Sequence, residues 1–168
     1  MKVSKHFTLE EFTYSDTAKR YGIDNVPDEF YTKIIKHTAE YLLEPLRSLL
    51  GTHYGKTVYI SITSGYRCPL LNSKVGGSST SQHVKGCAVD IEAYYMSGKK
   101  KIVISYIELY TLIKQWVKAG KLSVDQCIQE VSGSAKWVHI SHHPSGRTCD
   151  RRQFLKYNNG TYTLDTIL

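Results

Sequence analysis

Ser81-Gln82-His83-Val84-Lys85-Gly86-Cys87-Ala88-Val89-Asp90 holds an imidazole and a carboxylate seven positions apart, separated by small, apolar or single polar residues. A strand starting near Cys87 places Ala88 and Asp90 on one face and Val89 and Ile91 on the other. The carboxylate then faces a site while the branched residues face a core. Gly86 and Ala88 let the backbone run close to a neighbouring element. Far downstream, Trp137-Val138-His139-Ile140-Ser141 alternates like a second strand. Together the two stretches offer His83, Asp90 and His139: three protein ligands for a catalytic zinc, with one coordination position left open. Neither His-Glu-x-x-His nor Cys-x-x-Cys occurs in the chain, so the helical two-histidine site and the ribbon and finger patterns are excluded.

A His and an Asp seven apart are, taken alone, more often a surface imidazole and a helix cap than a metal site. Specificity comes from the longer pattern, Ser81-x-His83-x-x-Gly86-x-Ala88-x-Asp90 followed by Trp137-x-His139. That pattern resembles the M15 metallopeptidases, which cleave peptides of bacterial cell walls as D-Ala-D-Ala carboxypeptidases or L-alanyl-D-glutamate endopeptidases. His6 to Phe12, Glu44 to Arg47, Thr63 to Arg67 and Asp125-Gln126 are similar to segments of its phage and bacterial subgroup. The resemblance implies an α+β fold of hedgehog/DD-peptidase-like type, with a small, mainly antiparallel central sheet flanked by helices. It implies zinc as cofactor and a peptidoglycan stem peptide as substrate.

Composition sets the remaining bounds. The chain has 168 residues, 41% of them apolar and 22% charged, as expected for one catalytic domain over 1–168 with a real core. No apolar run approaches the length of a membrane span, and Met1 to His6 lacks the apolar stretch of a secretory signal. The expectation is a monomer made in the cytoplasm, without a membrane partner, that acts at the cell wall if released. The net charge of +7 favours polyanionic partners. Nucleic acid is not expected, because basic-aromatic patterning is missing and the Lys99–Lys101 and Arg151-Arg152 clusters read as solvated loop charge. The irregularly spaced Cys68, Cys87, Cys127 and Cys149 read as reduced, mostly buried thiols.

Along the chain, Thr8-Leu9-Glu10-Glu11 fits a capping box with Phe7 and Phe12 beside it. Ser15 to Gly22 is a second short helix. Pro27 opens a long helix with Asp28 and Glu29 at its positive end, ending before Gly51 and bent at Pro45. Thr57 to Thr63 is a strand. It delivers Arg67, whose planar fork suits a substrate carboxylate; a salt bridge to Asp90 or Glu92 is the structural alternative. Pro69 to Val75 is a short helix, and Gly76 to Thr80 a flexible rim. Ser81 either binds substrate, orients the site or caps a turn. The strand through Asp90 is expected to end near Ala93, with Tyr94 to Lys101 as loop. Ser105 to Lys118 is an amphipathic helix. Gln153 to Tyr157 and Thr161 to Leu164 form a terminal hairpin through Asn158-Asn159-Gly160. His142 and His143 read as loop residues.

Peptide hydrolysis also needs a carboxylate to accept the water proton. Many relatives carry an acid three positions before the last His, but here Lys136 stands there. If Gly133-Ser134 is a two-residue turn, 132 pairs with 135, 130 with 137 and 128 with 139. Glu130 then shares a face with His139 and is the candidate general base; Glu92 and Asp125 are the reserves. Lys136 also supports a rival reading, a non-catalytic wall-binding module that keeps the zinc fold.

Overall fold

The computed structural model describes residues 1–168, apart from the side chain of Arg147. Two short helices, α1 (Leu9–Thr13) and α2 (Asp16–Tyr21), precede α3 (Glu29–Thr38) and α4 (Glu44–Tyr54). Then come β1 (Val58–Ser64), α5 (Pro69–Lys74), the hairpin β2 (Ala88–Ser97) and β3 (Lys100–Ile104), and α6 (Tyr106–Lys118). Strands β4 (Gln126–Ser132), β5 (Ala135–Ser141), β6 (Gln153–Asn158) and β7 (Thr161–Ile167) complete the chain. All seven strands form one mixed sheet of order β1-β2-β5-β4-β6-β7, with β3 also on β2. The fold is α+β, and only β4–β6 is parallel.

Register decides which side chains meet. Asp90 pairs with His139 and Ile91 with Val138 across β2 and β5. Ile128 pairs with His139, Glu130 with Trp137 and Ser132 with Ala135 across β4 and β5. The two-residue turn at Gly133-Ser134 therefore sets the register that places Glu130 and His139 on one face. The opposite face carries Val89, Ile91, Val138 and Ile140, all fully buried. They join α3, α4 and α6 in one apolar core with Ile35, Leu46, Leu50 and Ile113. One sheet face thus builds the core and the other is left for chemistry.

Three local expectations need correction. The strand through Asp90 does not stop at Ala93; it runs to Ser97 and turns at Gly98 (φ 60°) into β3. Aromatic pairing sustains it: Tyr94 stacks on Tyr59 at 5.2 Å, Tyr95 on Tyr54 at 5.0 Å, and the Lys101 ammonium lies 4.1 Å over Tyr94. The long helix passes Gly51 and ends at Tyr54, where Gly55 adopts the left-handed cap at φ 59°. Tyr54 holds that last turn in place through a 2.7 Å hydrogen bond to Glu108 on α6. Pro45 is accommodated by a widened π turn at Ala39–Leu43, in which Glu44 donates to Ala39. Pro27 lies one position outside the helix, because Asp28 is the N-cap and accepts from Tyr31 at 2.9 Å. The other short elements form as the caps dictate, with Glu11 accepting from the Thr8 backbone at 2.7 Å. All four cysteines are free thiols; Cys87 and Cys127 are buried, Cys68 is partly covered and Cys149 is exposed. No helix of the described residues is long and apolar enough to cross a membrane.

Candidate metal centre

Each of the three candidate ligands is delivered by a different device. Asp90 sits on the chemistry face of β2, where it pairs with His139 of β5. His83 comes from a tight turn between α5 and β2, in which Val84 donates to Ser81 and Gly86 to His83. Gly86 closes that turn at φ 71°, a left-handed conformation that favours glycine, and its missing Cβ leaves room for Ile35. The Thr38 hydroxyl lies 2.7 Å from the Gly86 carbonyl, and the His142 backbone N–H donates to Cys87 at 3.0 Å. The turn is thereby tied to α3 on one side and to the end of β5 on the other.

The imidazole of His83 is fixed by Gly65. Its Nδ1 lies 2.7 Å from the Gly65 carbonyl, which only accepts, so Nδ1 carries the proton and Nε2 presents a lone pair. Nε2 is 3.2 Å from Nδ1 of His139 and 3.3 Å from Oδ1 of Asp90; His139 Nδ1 is 2.9 Å from the same oxygen. Ligand atoms of a tetrahedral zinc with bonds of ~2.0–2.1 Å are ~3.3 Å apart. The three side chains therefore fit one face of such a centre, with His83 at 2%, His139 at 8% and Asp90 at 9% exposure. Burial lowers the His83 pKa against the pull of Asp90, favouring the neutral ring that a metal needs. Burial works to raise the Asp90 pKa, but His83 and His139 outweigh it and keep the carboxylate ionised.

The centre opens onto a cleft of about 960 Å³ across the sheet face. Arg67, Ser81 and Glu130 all line it. Arg67 is mostly covered, with Nη2 3.9 Å from Asp90 and Nη1 3.5 Å from Asn72, while its buried Nε has no partner among the described residues. A guanidinium in long contacts with a spare donor suits an incoming anion better than a closed structural salt bridge. Ser81 Oγ accepts from the His83 backbone at 3.3 Å, which makes it a cap of the ligand turn as well as a cleft residue. Glu130 is 9% exposed, and its carboxyl is pushed up to about 7: burial raises it most, His139 and Arg67 oppose, and Asp90 adds to the rise.

The reserve carboxylates are placed differently. Glu92 is exposed opposite Ser61 on β1 and does not line the cleft. Asp125 is fully buried and engaged by Arg151 and Gln82. Lys136 pairs with Val131, and its ammonium lies over the Tyr106 ring of α6 at 5.6 Å, on the core side of the sheet. His142 lies in the loop after β5, as expected, and is buried there, with Nε2 2.8 Å from the Thr38 hydroxyl and outside the group of three ligands. Sequence reasoning also left Tyr157, Tyr162 and Arg151 without a role, yet all three line the cleft. The parallel pairing of β6 with β4 puts them there, with Glu130 beside Tyr157 and Tyr157 beside Tyr162. Parallel partners are not neighbours in sequence, so only the alternation of Leu155 and Tyr157 hinted at it.

Comparison with curated protein sequences finds no match. A family model described as Peptidase M15 matches residues 5–111, which include Arg67, Ser81, His83 and Asp90. The match stops before β5, but β5 is hydrogen-bonded to β2 inside the matched region and sets His139 against Asp90. With well over half of the chain matched and a buried His-Asp-His group assembled on its sheet, the protein belongs to the peptidase M15 family of metallopeptidases.

Proposed function

We propose that the protein is a zinc-dependent peptidase that hydrolyses bonds of peptidoglycan stem peptides at the bacterial cell wall, as carboxypeptidase or endopeptidase, on a hedgehog/DD-peptidase-like sheet. The observation that carries this reading is the set of 2.9–3.3 Å separations among His83 Nε2, His139 Nδ1 and Asp90 Oδ1, beside a buried carboxylate in the same cleft. Two imidazoles and one carboxylate are a donor set that suits zinc. Zinc held by His83, Asp90 and His139 would supply Lewis acidity and lower the pKa of water.

The chain's own residues do the rest. Glu130 accepts the proton of the attacking water and returns it to the leaving amine. In the metal-free site the carboxyl is raised to about 7, and a zinc ion beside it would draw it down toward the ionised form that a base needs. Arg67 binds a substrate carboxylate, and the cost of its own burial is offset when the anion arrives. His83 is held to one tautomer by Gly65, so no reorientation is needed as the site loads. Ser81 keeps the ligand turn closed at the cleft edge.

The rival reading, a wall-binding module without catalysis, drew its support from Lys136. Position 136 lies on the other face of β5 from His139, so a lysine there removes nothing from the cleft. Elemental analysis is expected to give one zinc per chain, lost in His83→Ala and His139→Ala. Purified cell walls are expected to lose turbidity with the zinc protein and not after chelation. Full zinc occupancy in both alanine variants overturns the site, and chelator-insensitive or absent lysis overturns the activity.

A further inference from the structure

The cleft holds a second arginine that the hydrolytic chemistry does not use. Arg151 precedes β6, and its side chain is half exposed at 51%. Its Nε lies 2.9 Å and its Nη2 2.5 Å from the oxygens of Asp125, and its backbone N–H donates to the same carboxylate at 3.0 Å. Asp125 itself is 0% exposed. One edge of the guanidinium is thus locked to a buried anchor, and Nη1 has no protein acceptor among the described residues. A guanidinium held in this way is pre-organised: little side-chain entropy remains to be lost when a ligand takes the spare edge.

The same anchor reaches the ligand turn. Gln82, adjacent to His83, donates its Nε2 to Asp125 at 3.0 Å and to the His142 carbonyl at 3.1 Å. Its Oε1 is left as a buried acceptor without a partner among the described residues. A spare donor edge suited to an anion and a spare acceptor suited to a peptide N–H therefore flank one buried carboxylate, and both residues line the cleft. Strand order places this pair apart from Arg67. Arg67 follows β1, the metal ligands on β2 and β5 come next, and Arg151 leads into β6 beyond β4.

We infer that Arg151, backed by Asp125 and Gln82, forms a second anion subsite, so that the cleft selects peptides with a carboxylate on the side of the metal ligands away from Arg67. The inference rests on the peptidase reading for its substrate class. It predicts that a free side-chain or α-carboxylate within the stem peptide, distant from the group held by Arg67, is read by charge rather than by shape. Solvated loop charge, the bland role for Arg151, predicts no such preference, and a purely structural pair with Asp125 predicts equal losses for every peptide.

The test uses two synthetic stem pentapeptides that differ in one group: the α-carboxylate of the γ-linked D-glutamate, free in one and amidated in the other. Binding to the metal-free protein is measured by calorimetry, so that the result does not depend on turnover. Wild type is expected to bind the free acid about tenfold more tightly, as for one charge-assisted hydrogen-bonded pair. Arg151→Gln is expected to bring the two affinities together through loss of affinity for the free acid, and Arg151→Lys, which keeps the charge and loses the fork, to narrow the gap without closing it. Circular dichroism and zinc uptake check that each variant is folded; Arg151→Lys keeps a cation on Asp125 if the glutamine variant is unstable. Equal affinity of wild type for the two peptides, no binding of either, or an acid-to-amide ratio that survives both substitutions overturns the subsite. Cleavage of the amidated peptide by the zinc protein is scored separately, and its failure counts against the peptidase reading alone.

Discussion

At the scale of single residues, Glu130 and Arg67 are electrostatically joined. Each changes the other's ionisation, since the Arg67 charge lowers the Glu130 pKa and the Glu130 charge raises that of Arg67. Glu130→Gln keeps the shape of the side chain and removes the proton acceptor, so turnover is expected to fall roughly 10²–10⁴-fold with zinc content intact. Near-normal turnover in that variant removes Glu130 from the mechanism. Arg67 gives a finer test through pH. In the proposed role Glu130 accepts a proton only when ionised, so activity is expected to rise with pH through its pKa. Arg67→Lys keeps the charge and loses the fork: the affinity for substrate is expected to weaken while the acid limb of the profile stays in place. Arg67→Gln removes the charge, so the Glu130 pKa rises and the acid limb moves to higher pH. An acid limb at the same pH in wild type and Arg67→Gln would show that the two side chains do not communicate. The placement of both residues in the cleft was legible in the sequence for different reasons. Arg67 follows a strong strand, and Glu130 follows from a two-residue turn that fixed the register. Arg151 was not, because its partner Asp125 lies 26 positions away and nothing local distinguishes a locked arginine from a solvated one.

At the scale of elements, the metal centre depends on how closely α1 approaches the end of β1. A Cβ added to Gly65 would lie 2.4 Å from the Phe12 carbonyl oxygen and 2.8 Å from its Cα, both backbone atoms that cannot swing aside. Relief requires moving the Ser64–Arg67 turn, which carries the carbonyl that orients His83 and leads directly to Arg67. Gly65→Ala is therefore expected to cost about 1–3 kcal/mol of stability. It should also weaken zinc binding and substrate affinity together, although residue 65 supplies no ligand atom. Gly98→Ala is the informative comparison, since its Cβ meets nothing within 4 Å and its cost is confined to the φ of +60°. Thermal melts with zinc titrations separate the two, and a Gly65→Ala protein with native zinc affinity would show that the turn can shift without the imidazole. Contacts between elements also mark where sequence reading stopped short. Caps and hairpin turns are local and were read correctly at Thr8 and at Gly133-Ser134. The extension of β2 beyond Ala93 depends on Tyr54 and Tyr59, partners from other elements, and the π turn before Pro45 depends on a helix face already held by the core.

At the scale of the whole molecule, the chemistry face stores titratable groups that the fold keeps neutral or paired, and this sets the response to acid. Burial lowers the pKa of His83 and of His142. For a histidine whose folded pKa lies below the unfolded value of about 6.5, the unfolded chain binds more protons in the interval between the two. Stability is therefore complete above that pH and is lost as pH falls toward the folded values. Asp125 is also lowered: burial raises it, but the hydrogen bonds and charge of Arg151 prevail. Its contribution persists to the unfolded carboxylate value of about 3.9 and fails only below it. Glu130 has the opposite sign, because a carboxyl raised to about 7 gains stability as pH falls through that value, so Glu130→Gln removes the competing slope. The metal-free Glu130→Gln protein is accordingly expected to melt at a constant temperature above pH 7, to lose stability from about pH 6.5 downward, and to weaken again below about pH 4. Zinc adds a second slope. Bound at a hundred times its dissociation constant, a ligand stabilises the fold by about 2.7 kcal/mol. Protons compete for His83, His139 and Asp90, so this gain should shrink as pH falls. Melting curves from pH 8 to pH 3, with zinc and with chelator, measure both slopes. The two curves should converge in acid, and the chelated curve should bend near pH 6.5. A chelated Glu130→Gln protein whose melting temperature stays flat down to pH 5 would mean that His83 and His142 take up protons without strain. The buried, neutral imidazole on which the metal centre depends would then be the wrong description of the site.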